Sequence, residues 1–479
     1  MHDQIRPSAG TDSGTVYLRR MLRRTVLTVS CVLLATASTA TADWSNLGGN
    51  QCRNGLSDAI GPATPELVWG TGPSSLIAWS PCVEGNRIFV VRQTAFAPSG
   101  VPNDSKVYAL NLTTGATLWS FVCPYAPGDW TTNVYGVNNG RVFVGRGGNG
   151  SSVSAPVFCL DAATGGILWS STEEVATGSY DGVVFTDEGD PIFATHLYIR
   201  RLNRLTGETM WNTVRNCSVS GDCGPALSGN SIYIDEVGPG GQKITHVNAT
   251  TGAKLYSSPI MPGFTSQNTP MCGPDGRVFY ARTQTNPSVD FMYAWQDTGS
   301  AFTPLWSAPA IGGAGSNHGL THDGGIVMVG LNGKLQVRDQ VTGALRHETR
   351  STVTASINQS HVAVDGNGTI FYGNGGFPGT IFSFSPDLTV RWSIAVNNLN
   401  QGGPVLADNG TLLVAGTGTD FRAYRTEPPC ADADLDCDGS VGPADLALLL
   451  GAWGSSDADL DGDGLTGSAD LAILLGSWG

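Results

Sequence analysis

Charge is scarce in this chain. Of 479 residues, 26 are Lys or Arg and 40 are Asp or Glu, together 14%. The formal charge is −14 and no basic cluster occurs, so the electrostatic footprint of a nucleic-acid binder is missing. Also missing are a Gly-x-Ser-x-Gly nucleophile elbow and a Gly-Lys-Ser/Thr phosphate loop. No two of the ten cysteines are adjacent. Beyond the N-terminal region no apolar run is long enough to span a bilayer. What the chain has in excess is glycine, 64 residues of it. Low charge with so many turn formers points to an all-β extracellular protein.

The first 42 residues read as a secretory leader. Arg23 and Arg24 form its charged start, Thr25 to Ala35 its apolar run and Ala40-Thr41-Ala42 its cleavage site. Met21 is the expected start, and the expected location is secreted or cell-surface. A lipid-anchored reading through Cys31 fits less well, because most of the apolar run would follow the cleavage point. Nine cysteines remain after the leader, an odd number. Cys217 with Cys223, and Cys430 with Cys437, are near enough in sequence to pair. Cys52, Cys82, Cys123, Cys159 and Cys272 cannot be paired from spacing.

The last fifty residues repeat one sentence at an interval of 25. Its first copy carries Asp434, Asp436, Asp438, Ser440 and Asp445, and its second Asp459, Asp461, Asp463, Leu465 and Asp470. These are positions 1, 3, 5, 7 and 12 of a twelve-residue loop, with Gly439 and Gly464 at position 6. A hard cation needs many oxygen ligands and a glycine at the sharp turn, so both loops read as calcium sites. Leu446, Leu449, Leu450 and Trp453 follow the first loop, and Leu471, Leu474, Leu475 and Trp478 the second. Spaced i, i+3, i+4, i+7, each set predicts one apolar helix face, and the two faces are expected to pack together. All ten Asp from Cys430 onward lie here, with no Lys or Arg.

A second repeat fills the middle. Val107-Tyr-Ala-Leu-Asn-Leu-Thr-Thr-Gly115-Ala-Thr-Leu-Trp119 is echoed by Val157-Phe-Cys-Leu-Asp-Ala-Ala-Thr-Gly165-Gly-Ile-Leu-Trp169. Closing aromatic or His residues stand at 69, 119, 169, 211, 256, 306, 347 and 392. Each unit reads as four short strands with a Thr-Gly hairpin, and hairpin units of this length mean a β-propeller. The last unit, Gly402 to Tyr424, lacks its outer strand, which the segment around Trp69 is expected to supply.

The middle repeat resembles the pyrroloquinoline-quinone-type, BamB-like propeller repeat over residues 43–427, which implies eight blades. The C-terminal pair of loops is similar to a type I dockerin over 432–479, joined by a linker at 428–431. That resemblance implies two bound calcium ions and a cohesin-like partner domain. Quinoprotein dehydrogenases of the propeller kind use a disulfide between adjacent cysteines above the cofactor. This chain has no such pair, so bound pyrroloquinoline quinone is not expected.

Other candidate groups carry less. Glu173-Glu174, Asp187-Glu188 and Asp235-Glu236 are adjacent carboxylates, but none is read as an acid/base pair. His318 and His322 flank a strand and turn, not the helix a metal pair would need. Trp79, Trp130, Tyr180, Asp222, Asn268, His318, Gln359 and Gln401 begin the innermost strands and are expected at one channel mouth, the first place to seek a ligand site. The chain therefore reads as an eight-bladed all-β propeller with a small helical module. Its expected role is a secreted, calcium-dependent, non-enzymatic binding or scaffold protein. The alternatives are a dockerin-carried carbohydrate-active enzyme and a quinone-dependent oxidoreductase.

Overall fold

The fold was analysed in a computed structural model. It describes residues 44–426 apart from 95–104, 125–130, 148–152, 178–181, 196, 218–223, 263–268, 286–287, 312–317, 354–360 and 400–401. It also describes 433–479 apart from 437–439, 456–457 and 462. Among the described residues, eight antiparallel sheets follow one another along the chain as propeller blades, seven of four strands and the fourth of five, with Met261–Pro262 as its extra strand. Their innermost strands are Cys82–Glu84, Thr131–Asn138, Val183–Phe185, Ala226–Ser228, Met271–Cys272, Gly319–Leu320, His361–Val364 and Val405–Leu406. Buried side chains form clusters that bridge neighbouring blades. One joins Phe89 and Val91 of blade 1 to Val142 and Leu160 of blade 2. Another joins Ile381 of blade 7, Leu413 of blade 8 and Val90 of blade 1, and so closes the ring.

Closure follows the expected route. Blade 8 builds three strands from residues 405–424 and takes its outer strand from Leu67–Trp69, in antiparallel register Leu67 with Tyr424 and Trp69 with Ala423.

The repeated motif has a physical job at each residue. In Asn111-Leu-Thr-Thr-Gly115, the Asn111 side-chain oxygen accepts the N–H groups of Thr113 and Thr114 at 3.0 and 2.9 Å. Asp161, Asn203, Asn248 and Asp339 cap the same turn in other blades. The glycine that follows sits at φ near +70°, at 115, 165, 207, 252 and 343. It must also be bare, because the Trp of the preceding blade lies on it. A Cβ at Gly165 would stand 2.7 Å from the Trp119 ring, and one at Gly207 would stand 2.5 Å from Trp169. The same indoles donate their N–H to the next blade: Trp69 to Leu112 O at 2.8 Å, Trp119 to Ala162 O at 3.1 Å and Trp306 to Gln340 O at 2.9 Å. Five blade interfaces are thus clasped by ring contact and hydrogen bond together.

Three interfaces depart from this. At the first, Trp392 of blade 7 meets no Thr-Gly turn and donates its N–H to Pro62 O at 3.3 Å. Position 256 is Tyr, and its hydroxyl reaches Asp297 of blade 5 at 2.5 Å while its ring packs on Phe302 at 5.5 Å. Position 347 is an exposed His. The next blade has Leu388 where the glycine would be, at φ +64° and buried. A leucine side chain there is compatible only because no indole has to fit over it.

No pattern of residues marks the path of residues 44–61. This segment runs along the inner strands and touches seven blades in order. Val83 donates to Trp44 O at 3.0 Å, Val137 to Ser45 O at 2.8 Å, and Asn46 Nδ2 to Val183 O at 2.9 Å. Leu227 donates to Gln51 O, Cys272 to Cys52 O, Leu320 to Asn54 O and Val364 to Gly55 O, at 2.8 to 2.9 Å. A disulfide joins Cys52 to Cys272 of blade 5. The central channel is therefore lined from within by the chain's own backbone. Cys223, Cys430 and Cys437, which were candidates for local pairing, lie outside the described residues. The Cys217 thiol lies 3.6 Å from Asp235.

Two measurements test these devices. Gly165→Ala must place a methyl in the Trp119 ring and hold a positive φ. Gly85→Ala, at φ +55° with nothing within 4 Å, meets only the backbone penalty. Chemical unfolding should show Gly165→Ala costing about 1–3 kcal/mol more than Gly85→Ala; equal losses would mean that the clasp is not under close packing. The disulfide closes a loop of 220 residues, so a Cys52→Ser/Cys272→Ser variant should lose roughly 2–5 kcal/mol, read as a lower Tm that the wild type reproduces only when reduced.

Candidate functional site

The C-terminal module builds two helices from its two repeats, Pro443–Gly451 and Ser468–Gly476. Each starts where the last Asp of its loop turns back onto the chain. Asp445 accepts the N–H of Gly442 at 2.7 Å and of Asp436 at 3.1 Å. Asp470 does the same with Gly467 at 2.5 Å, Leu460 at 2.7 Å and Asp461 at 3.1 Å. The Gly442 N–H, then that of Asp436, holds Asp445 below the usual carboxylate range; Gly467, then Asp461 and Leu460, hold Asp470 there.

These bonds gather the other carboxylates. Ligand oxygens of Asp434, Asp436 and Asp445 lie within 4.8 Å of one another, as do those of Asp459, Asp461 and Asp463. In the second loop Asp459 accepts N–H groups from Asp463 at 3.1 Å and Gly464 at 2.7 Å, and Asp463 accepts that of Leu465 at 2.9 Å. At Asp461 the Asp463 N–H pulls the pKa down. Desolvation and repulsion from Asp463, Asp470 and Asp459 outweigh it and push the pKa up. Among the described residues these are the two groups of three or more metal-capable side chains. Asp438 lies outside the described residues; Ser440 is described and exposed, and Leu465 is exposed.

The repeat in sequence is a repeat in space. Gly454 N donates to Thr466 O at 2.9 Å, and Gly479 N donates to Val441 O at 3.2 Å. Both partners of the second bond stand 25 residues from a partner of the first. The end of each helix thus pairs with the loop of the other repeat. Leu449 and Leu474 are fully buried between the helices, with Ala433, Val441 and Ala458 around them.

The expected helix faces need correction. Leu446 and Leu471 pack against this core as predicted, but Leu450, Trp453, Leu475 and Trp478 are exposed, at 51%, 50%, 52% and 44%. Each helix is nine residues long, so the i+7 Trp lies beyond its end and cannot join its face. Leu448 and Ile473 are exposed as well, so the module presents an apolar surface instead of hiding it.

The propeller distributes its polar groups differently. Of the eight expected mouth residues, Trp130, Tyr180, Asp222, Asn268, Gln359 and Gln401 lie outside the described residues. Trp79 packs into the core between blades 1 and 2, and His318 is 8% exposed at the head of blade 6. His322 Nε2 is 3.2 Å from Ser57 O, in the inner segment. Glu173 and Glu174 are exposed, and Asp187 and Glu188 occupy an exposed turn. Asp235 and Glu236 are buried in blade 4, where Arg215 pairs with Asp235 and Lys254 with Glu236. Desolvation raises the Asp235 pKa against the pull of Arg215.

Sequence reading missed a polar cluster at the Tyr256 interface. Asp297 Oδ2 is 2.8 Å from His246 Nδ1 and accepts the Tyr233 hydroxyl at 3.0 Å. Burial lowers the His246 pKa more than Asp297 raises it, so the imidazole is held toward its neutral form. Where the clasp is replaced at Leu388, a cavity of about 580 Å³ opens, lined by Phe382, Phe384, Val353 and Leu388 with Glu348 and Arg350 at its rim.

Eight sheets in a closed ring define a β-propeller, and residues 103–349 match the family described as outer membrane protein assembly factor BamB. The match spans half of the chain, and the chain belongs to that family. Solved structures agree on the fold. BamB from Moraxella catarrhalis is 15% identical with a TM-score of 0.54, covering 76% of this chain and 100% of that one. The computationally designed Ika8 protein is 14% identical with a TM-score of 0.52 and the same coverage of both chains. A search of curated proteins gives no match.

The buried and exposed apolar residues of the module should respond differently. Leu449→Ala should cost about 2–5 kcal/mol and speed amide exchange in both helices of the full-length protein. Trp453→Ala should change module stability by no more than about 0.5 kcal/mol. Slow exchange retained in Leu449→Ala would rule out a shared core.

Proposed function

We propose that this protein is a secreted, non-enzymatic binding propeller carried by a calcium-dependent docking module of dockerin type. The observation that carries the reading is the pair of carboxylate groups, each within 4.8 Å, 25 residues apart in one cross-paired module. Asp434, Asp436 and Asp445 would hold one calcium, and Asp459, Asp461 and Asp463 the other, with Asp438, Ser440, Leu465 and Asp470 as the remaining loop positions. The donor set fits, since it is all oxygen and no Lys or Arg lies in this segment. Calcium would supply the positive charge that lets these carboxylates stay close. The exposed Leu450, Trp453, Leu475 and Trp478 then suit a protein partner, read here as a cohesin-like domain. Three features support a binding role for the propeller: family membership, a channel lined by the chain's own backbone, and adjacent carboxylates that are either solvated or ion-paired.

Calorimetry on the full-length protein should find two calcium ions bound per chain. At ~100 times its dissociation constant one ion would add roughly 2.7 kcal/mol to module stability. An Asp434→Ala/Asp459→Ala variant should lose both the binding heat and the capture of a cohesin-type domain, with the propeller Tm unchanged. Equal capture in calcium and in chelator would overturn the reading.

A further inference from the structure

At five blade interfaces one filling recurs. The outer-strand Trp of one blade lies on the turn glycine of the next, and its indole N–H donates to a backbone carbonyl there. Between blades 6 and 7 both halves of that clasp are replaced. The outer strand of blade 6, Leu345–Glu348, carries His347 at the Trp position, and His347 is exposed. The blade 7 turn carries Leu388 at the glycine.

The cavity beside this replaced clasp, about 580 Å³, is lined only by residues within 348–353 of blade 6 and 382–390 of blade 7. Ligand pockets usually measure roughly 300–1,000 Å³, so the volume suits an occupant of side-chain size or larger. Phe382 and Phe384 both line it, with ring centroids 5.6 Å apart and planes inclined by 19°. Val353 and Leu388 line it as well, and with Phe384 they belong to the buried core between the two blades. The cavity therefore reaches that core. Its polar lining carries charge of both signs. Glu348 pairs with Lys334 at 3.3 Å, and Asp387 and Arg350 are exposed groups of opposite charge.

We propose that this cavity receives a tryptophan side chain from a partner protein, which supplies from outside the ring that five other interfaces supply from within. The blade surfaces are repeats of ones that take an indole, and here the chain puts no indole between them. Aromatic walls favour an aromatic occupant beyond plain area burial. Mixed charge at the lining favours a neutral side chain, and the Asp387 carboxylate offers an acceptor for an indole N–H. Tryptophan anchors seated in pockets carry much of the binding energy at protein interfaces. The site rests on the binding reading of the propeller and gives it a ligand class. It shares no residue with the calcium loops, so either can fail without the other.

The test is calorimetry on the full-length protein at fixed calcium, with N-acetyl-Gly-Trp-Gly-amide and the same peptide carrying Leu in place of Trp. The Trp peptide should bind saturably, one per chain, and about tenfold or more tightly than the Leu peptide. Phe382→Leu, which keeps apolar bulk and loses the ring, should remove most of that preference. Thr352→Trp, at an exposed lining position, should block the cavity and weaken the Trp peptide about tenfold or more, while calcium binding stays at the wild-type level. A wild type that does not saturate, or that binds both peptides equally, overturns the site whatever the variants do. So does wild-type affinity for the Trp peptide in Thr352→Trp.

Discussion

The fold depends on one contact, an indole laid on a bare glycine in the next blade. A propeller blade has no way to hide its lateral faces except against its neighbours. The Trp and Thr-Gly pair fixes that docking at the outer rim, where the blades diverge and packing would otherwise thin out. The contact makes two demands at once, a positive φ and no Cβ, and glycine alone meets both. The Asx cap ahead of it holds the turn so that the glycine arrives in place. At Leu388 the two demands come apart. The indole is gone, the glycine is gone with it, and the chain keeps the positive φ with a side chain that fills part of the space.

The parts of this fold that were legible in sequence are those that repeat. Eight closing positions announced eight blades, and a last unit one strand short announced the need for the strand at Trp69. The inner segment of residues 44–61 was not legible for the opposite reason. It meets each blade once, mostly through backbone N–H and carbonyl groups, and backbone bonding leaves no pattern of side chains to find. Its pairing of Cys52 with Cys272 was equally hidden, since 220 residues separate the two. In the C-terminal module the helix faces were half right. Leu449 and Leu474 fell where the period put them. Trp453 and Trp478 did not, because Leu446 and Leu471 are already the fourth residues of nine-residue helices, and the i+7 position falls two residues past the end.

Charge is rationed by place. Carboxylates gather in the C-terminal loops, some exposed and some buried, where they stand close together without a Lys or Arg in the segment. Inside the propeller the ion pairs of buried arginines lie in blades 3 and 4, through Arg200, Arg201 and Arg215, and further pairs in blades 6 and 8 run through Arg346 and Arg422. None of the pairs in blades 3 and 4 could be read from sequence spacing, since register between strands decides which charges meet.

Closure of blade 8 has a consequence for the order in which this protein is made. Leu67–Trp69 leave the ribosome before any blade exists, and their partner Phe421–Tyr424 emerges last. The inner segment likewise waits for strands that are translated one by one after it. Each blade can form as it appears, but the ring cannot lock until translation of the propeller is complete. A chain cut short anywhere before residue 424 would carry an open sheet edge at each end. Partial products are thereby marked for aggregation or proteolysis, and only the complete propeller hides its edges.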